Sequence, residues 1–228
     1  MSFLGVGGFC YSLMLEPRML SVNRHVIRLP DLPEAFDGFT IAQITDLHAG
    51  MYLPDGMAEW VVDIANDTGA DMITCTGDYV SHLNDDRIVA TWQHLDRLTA
   101  PEGVFFVRGN HDNWENKSLS QELLEKSGRG LERRTQPIER DGQRIWLAGT
   151  GDLWTDFAPL DPILQTIPKN EFRIVLTHNP DTADSEFHER VDLMIAGHSH
   201  GGQGRLPLYG PIRSSVKNLR YQMGSMLS

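Results

Sequence analysis

Short apolar runs alternate along this chain with stretches whose apolar residues recur every three or four positions. That alternation predicts strands and helices in turn. Residues 39–45 (FTIAQIT) form a β-branched run suited to a buried strand. Residues 54–68 follow, with Met57, Trp60, Val61, Ile64 and Ala65 on one helical face. A second strand is expected over 72–76. A second helix is expected over 85–98, where Ile88, Val89, Trp92, Leu95 and Leu98 keep helical spacing. A third strand over 104–107 and a third helix over 118–127 come next. Residues 140–148 carry the hairpin signal Asp141-Gly142 ahead of the apolar run 145–148. Two further strands are expected over 172–176 and 193–196, with a candidate helix over 182–189 between them. The pattern reads as α/β, a sheet with helices on both faces. Strand direction is expected to be mixed, because a hairpin is not a parallel crossover.

Composition narrows this only slightly. With 228 residues, 40% hydrophobic and 22% charged, the chain matches an ordinary globular domain with a sizeable core. Its net charge of −11 disfavours non-specific nucleic-acid binding, which relies on neutralising phosphates. Cys10 and Cys75 cannot build a disulfide framework, and Cys75 lies in a predicted strand. Residues 1–15 are apolar and glycine-rich, with no Lys or Arg before Arg18. They are shorter than the about 20 residues that cross a bilayer and lack the basic start of a secretory signal. A truncated membrane anchor, an interfacial helix and a segment packed on its own domain all fit them. Pro30, Asp31, Leu32 and Pro33 form a turn-rich linker. The expected division is therefore an apolar segment and linker over 1–33 and one domain over 34–228.

The chemistry sits where the strands are expected to end. Five polar clusters follow five predicted strands: Asp46-Leu47-His48, Gly77-Asp78, Gly109-Asn110-His111-Asp112, His178-Asn179 and Gly197-His198-Ser199-His200. Open α/β sheets bind ligands beyond the carboxyl ends of their strands, so these clusters should converge in one crevice. Any one of them alone is a common turn or a structural histidine; five at one topological position are not. Gathering Asp46, Asp78 and Asp112 in a cleft costs desolvation and like-charge repulsion, which cations would relieve. Imidazole, carboxylate and amide oxygen without thiolate suit Mn²⁺, Fe or Zn²⁺. The ligands are too many for one tetrahedral ion and enough for two sharing a carboxylate.

The ordered set from Asp46 to His200 resembles the calcineurin-like metallophosphoesterase superfamily, over roughly residues 39–203. The resemblance implies a four-layer fold, two mixed β-sheets packed as a sandwich and flanked by helices. It implies a phosphodiester or pyrophosphate hydrolase that attacks with a hydroxide shared between two divalent metal ions. By the resemblance, Asp46, His48 and His200 hold the first metal, Asn110, His178 and His198 the second, and Asp78 bridges both. His111 is then the general acid, with Asp112 holding its ring.

The flanks of these motifs point to a branch. Gly77-Asp78-Tyr79-Val80 continues as Ser81-His82-Leu83, where the protein-phosphatase branch has Asp-Arg-Gly, and Asp112 stands where that branch has Glu. Leu47-His48-Ala49-Gly50, the run from Gly197 to Gln203 with Pro207, and Leu15-Glu16-Pro17 resemble a bacterial membrane-associated branch. Some of its members cleave UDP-2,3-diacylglucosamine in lipid A synthesis. That implies a lipid-linked, cell-envelope or small-molecule substrate, peripheral membrane contact, no specific nucleic acid, and a place in the bacterial cytoplasm or at the inner-membrane periphery. The branch usually continues past the Gly-Gly-Gln loop, so two expectations stand: a truncation in which the domain lacks its last strands, or a natural short form. A general or nucleotide phosphodiesterase of unknown substrate and an inert metal-binding scaffold are the alternatives.

Other residues have weaker claims. Asp152, Trp154 and Asp156 are within reach of a substrate or simply form a surface loop. Arg205, Arg213, Lys217 and Arg220 meet anionic groups or water, and Arg129, Arg133 and Arg134 read as solvated around a hairpin. Met51 and Tyr52 line the pocket or pack in the core. His25, His82, His94 and His188 default to structural or surface roles, His82 least securely because it closely follows Asp78.

Overall fold

The computed structural model describes residues 20–50, 56–82, 84–202, 205–206, 210–211 and 215–222. The apolar stretch 1–15, the triplet 15–17, Met51, Tyr52, Gln203, Pro207 and Arg213 lie outside them. Two sheets form the centre. In the first, β1 (Ile41–Ile44), β3 (Met72–Cys75) and β5 (Val104–Phe106) lie side by side in that order and run parallel. Two-residue strands β2 (Ala49–Gly50) and β4 (Val80–Ser81) pair parallel further along the chain from β1 and β3. The second sheet has the order β6 (Arg134–Arg140), β7 (Gln143–Gly149), β8 (Phe172–Leu176) and β9 (Leu193–Ile195). Only the β6–β7 pair is antiparallel, closed by the expected Asp141-Gly142 turn. Mixed direction is thus confined to the second sheet.

Period-two alternation explains how the layers stack. From the first sheet, Ile41, Met72 and Phe105 face one cluster with Ile145, Leu147, Phe172, Ile174, Leu176, Leu193 and Ile195 of the second. Their sequence neighbours Ala42, Ile73, Cys75, Val104 and Phe106 face the other way, onto a core built with the helices. Those helices are α1 (Met57–Asp67), α2 (Asp85–Leu95) and α3 (Asn110–Ser127). On the far face of the second sheet, Ala148 and Val175 pack with Leu160, Ile163 and Leu164 of α4 (Leu160–Leu164). The result is the expected four layers: helix, sheet, sheet, helix. Residues 129–133 join the two sheets, with the Phe106 amide donating to the Arg129 carbonyl and the Arg133 amide to that of Gly149.

The elements depart from the sequence expectation at three places. Trp60 is exposed and Val62 fully buried, so α1 is rotated from the predicted face and packs through Met57, Ala58, Val62 and Ala65. α3 begins eight residues before the predicted position 118. Asn116 breaks it, with φ −157° and ψ 91°, and its side chain accepts from the Leu119 amide, capping the segment that the pattern foresaw. Over 182–189 there is only a 3-10 turn, Pro180–Asp184, because the Asn179 side chain accepts from the Asp181 amide and Pro180 starts the turn. In the linker, Leu29 and Leu32 pack against the inter-sheet core, next to fully buried Phe36. Residues 205–206 and 210–211 pair as β10 (Arg205–Leu206) and β11 (Gly210–Pro211), and a 3-10 turn spans Leu219–Gln222.

One buried ion pair fixes the loop after β5. The Arg108 guanidinium grips both oxygens of Glu132, through Nε at 3.0 Å and Nη2 at 2.7 Å. Removing Glu132 would leave the buried guanidinium, among the described residues, only the carboxylate of Asp156, whose nearer oxygen lies 3.6 Å from Nη2, and breaking a buried pair is costly. Glu132→Ala should therefore cost about 3–5 kcal/mol in urea unfolding. Glu59→Ala, which breaks the exposed pair with Arg97, should cost no more than about 1 kcal/mol. Equal losses from the two would contradict this account.

Candidate metal centre

All five clusters do meet beyond the carboxyl ends of the parallel strands. Asp46 and His48 follow β1, Asp78 follows β3, Asn110 and His111 follow β5, His178 follows β8, and His198 and His200 follow β9. Reaching the crevice bends the backbone sharply. Asp46, His48, Asp78, His82, His198 and His200 all adopt positive φ, between 44° and 65°. Left-handed backbone of this kind costs a side-chain-bearing residue about 1–3 kcal/mol and clusters at functional sites. Close approach also requires glycine at two turns. A Cβ on Gly109 would lie 2.2 Å from Asp78 Oδ1, and one on Gly197 only 1.9 Å from Thr45 Oγ1.

Each carboxylate divides its oxygens between scaffold and crevice. Asp46 Oδ2 accepts from the Thr45 hydroxyl at 2.7 Å and the His198 amide at 2.8 Å. Asp46 Oδ1 is buried without a hydrogen-bond partner among the described residues. Asp78 Oδ1 accepts from the His111 amide at 2.8 Å. Asp78 Oδ2 faces His48 Nε2 at 3.6 Å and His178 Nε2 at 3.3 Å.

The histidines follow the same logic. His178 Nδ1 donates to the Thr76 carbonyl at 2.8 Å, so in the neutral ring Nε2 presents a lone pair. His198 Nε2 donates to the Ser215 carbonyl at 3.2 Å, which leaves its Nδ1 lone pair 3.0 Å from His178 Nε2. Asn110 Oδ1 lies 3.1 Å from the same nitrogen. While both rings are neutral, two imidazole nitrogens, an amide oxygen and a carboxylate oxygen thus converge without a donor among them. Nearby, His48 Nε2 and His200 Nε2 lie 2.9 Å apart, and His200 Nε2 is 3.3 Å from Asp46 Oδ1.

Electron pairs crowded this way demand a proton or a cation. The electrostatics agree. Burial lowers the pKa of His178, but the Asp78 charge overrides it and pushes the group up to about 10. Burial raises that of Asp78, yet His178 holds it down at about 2. His48 is lowered to about 4, mainly by burial. Donor atoms of Asp46, His48 and His200 lie within 4.8 Å of one another, as do those of Asp78, His178 and His198, and those of His48, Asp78 and His111. The donor set fits divalent cations, and ring N–H groups tied to backbone carbonyls are the usual support of histidine ligands.

One expectation is corrected. Asp112 does not hold the His111 ring. Its buried carboxylate accepts from the amides of Gly109, Asp78 and Tyr79, at 2.8, 2.8 and 2.9 Å, because it caps the first turn of α3 and ties it to the β3 loop. The His111 ring instead meets Ser81 Oγ at 3.0 Å and Glu115 at 3.7 Å. Ser81 also bonds His48 Nδ1 at 2.6 Å. Ser81, Glu115 and Ser215 carried no signal of their own in the sequence. His82 lies with its ring 6.4 Å from that of His111.

A model of the family described as calcineurin-like phosphoesterase matches residues 39–202. The chain belongs to that family. It is 33% identical over 90% of its length to the uncharacterized metallophosphoesterase YkuE of Bacillus subtilis, 73% of which is covered. It is 32% identical to the phosphodiesterase YaeI of Escherichia coli, covering 95% of this chain and 80% of that one. It is also 27% identical to the UDP-2,3-diacylglucosamine pyrophosphatase LpxG of Chlamydia muridarum, with 85% and 73% covered. A solved NAD nucleotidase from Haemophilus influenzae shares the fold at a TM-score of 0.52 and 13% identity, over 71% of this chain and 38% of its own. The chain is accordingly a metal-dependent phosphoric ester hydrolase.

The remaining candidates divide. Trp154 packs its ring 4.3 Å from that of His198 and so belongs at the site. Asp152 is fully buried, and Asp156 pairs with Arg133 and Lys117. Arg133 is therefore paired rather than merely solvated, and Arg129 donates to the carbonyls of Asp96 and Leu98. Lys217 and Arg220 are exposed. Gly197→Ala should force Asp46 aside and lower stability by about 1–3 kcal/mol in urea unfolding. An unchanged midpoint would contradict this packing.

Proposed function

We propose that this protein is a two-metal phosphodiesterase or pyrophosphatase acting on a lipid-linked or nucleotide-linked substrate. The observation that carries this reading is the pair of donor groups meeting at Asp78. Asp46, His48 and His200 hold one divalent cation, Asn110, His178 and His198 hold the other, and Asp78 serves both. Mn²⁺ is the favoured ion, with Fe and Zn²⁺ as the other candidates for this nitrogen and oxygen donor set. Bound there, such cations polarise a phosphoryl group and make water a nucleophile near neutral pH.

The chain's own residues do the rest. The carboxylates and imidazoles fix the geometry, so little reorganisation accompanies the reaction. The amino end of α3 favours an anionic group beside it. His111, engaged at Nδ1 by Ser81, passes a proton from its other nitrogen to the departing oxygen. The relative named as a UDP-2,3-diacylglucosamine pyrophosphatase supports a nucleotide-linked lipid as substrate. Exposed Leu20, Val22, Val26 and Ile27 beside Arg24 and Arg28 support contact with a membrane surface. Among the described residues no helix is long and apolar enough to cross one.

The test is a panel of the nucleotide lipid, simple phosphodiesters and monoesters, run with and without Mn²⁺. Release of UMP from UDP-2,3-diacylglucosamine only with Mn²⁺ is the expected result. Hydrolysis of simple diesters without UMP release would overturn the lipid substrate, and no hydrolysis of any would favour an inert scaffold. His111→Ala should lower kcat by about 10²–10⁴-fold with metal content unchanged by elemental analysis. Asp78→Asn should lose both metal and activity.

A further inference from the structure

Two exposed tryptophans stand at the mouth of the crevice. Trp114 is 56% exposed and Trp154 46% exposed. Trp114 packs its ring 5.0 Å from that of His111, and Trp154 packs 4.3 Å from that of His198. The two indoles lie 6.3 Å apart with their planes only 26° from parallel. Together they form an aromatic wall on the side of the crevice that carries both the proton donor and one of the ligand groups.

The wall is held in place rather than left to fold over. The Asp152 carboxylate, fully buried, accepts from the Trp154 amide at 3.0 Å, the Thr155 amide at 2.9 Å and the Thr155 hydroxyl at 2.8 Å. Asn113, one residue before Trp114, donates to that hydroxyl at 2.7 Å and so ties the two tryptophan-bearing segments together. Asp156 pins the far side of the loop to Arg133 and Lys117. Two large apolar rings kept in water by that many polar bonds are preorganised to meet something flat.

We propose that Trp114 and Trp154 bind the aromatic base of a nucleoside phosphate whose phosphoryl group sits at the metal centre. This rests on the function proposed above and names the part of the substrate that the wall selects. A base offers a π-face of the right shape for an indole, whereas an acyl chain needs a continuous apolar trough. The buried polar groups behind the wall, Asn113 and Asp152, spend their bonds on holding the two segments and add no apolar surface to it. Stacking of a base on an aromatic side chain contributes about tenfold in affinity, or about 1.4 kcal/mol.

The test compares UMP with ribose 5-phosphate, which share the phosphate and differ in the base, on the full chain with Mn²⁺. UMP should quench tryptophan emission and bind about tenfold more tightly, while ribose 5-phosphate should leave the emission unchanged. Trp114→Ala and Trp154→Ala should each remove most of that difference, and Trp114→Phe and Trp154→Phe should keep it. Equal binding of both phosphates by the parent protein would overturn the inference. So would alanine variants that weaken both ligands alike, or a dodecyl phosphate that outbinds UMP and loses that advantage in the variants. Failure of both phosphates to bind with Mn²⁺ would count against the metal-dependent reading of the site itself, and so is distinguishable from failure of the wall.

Discussion

The structure depends on one electrostatic imbalance: lone pairs and carboxylate charge are gathered around Asp78, matched by no donor unless a ring such as that of His178 takes up a second proton. His178 and His198 each spend their ring N–H on a backbone carbonyl, so their other nitrogens face each other at 3.0 Å as acceptors. Asp46 and Asp78 each spend one oxygen on the scaffold and turn the other inward. A protein that only needed to fold would have no reason to bury acceptors this way, because each unmet buried acceptor costs about 1–3 kcal/mol. Divalent cations resolve the imbalance, and the scaffold is shaped to receive them.

That requirement explains features which would otherwise weaken the fold. Parallel strands deliver five loops to one edge, and those loops are bent through left-handed backbone at Asp46, His48, Asp78, His198 and His200. Glycines at 109 and 197 let the loops close to distances that no Cβ could share. Buried supports hold the strain in place: Asp112 binds three amides, and Arg108 locks onto Glu132 beneath the first turn of α3. The rigid part of the site is thus its floor. Its mouth is where His111, His200, Trp114 and Trp154 reach solvent, and there the fold is free to vary substrate choice without disturbing the ions.

The strand-end clusters were legible in the sequence because both their residue types and their positions are dictated by the chemistry. The two-sheet sandwich was legible only through the family resemblance, because runs buried at every position, such as Met72–Cys75 and Phe172–Leu176, show a strand without saying which side chains share a core. What escaped depends on geometry that spacing does not encode. Trp60 reads as part of the buried face of α1 because its large apolar ring outweighs the register in which Val62 is buried. The early start of α3 was hidden because Asn116 interrupts the helix, so periodicity appears only after it. Asp112 adjoins His111 in sequence, but as the third residue of a helix its carboxylate turns back to the amides before it. Ser81 and Ser215 act through single bonds to histidine rings, which nothing in their local sequence announces.

The most direct test of the central claim is crystallographic: anomalous difference density at the manganese edge from crystals of the full chain grown with Mn²⁺. The account predicts two peaks about 3.5–4 Å apart, one beside Asp46, His48 and His200 and one beside Asn110, His178 and His198, with Asp78 between them. A single peak, no peak, or manganese bound away from Asp78 would contradict it.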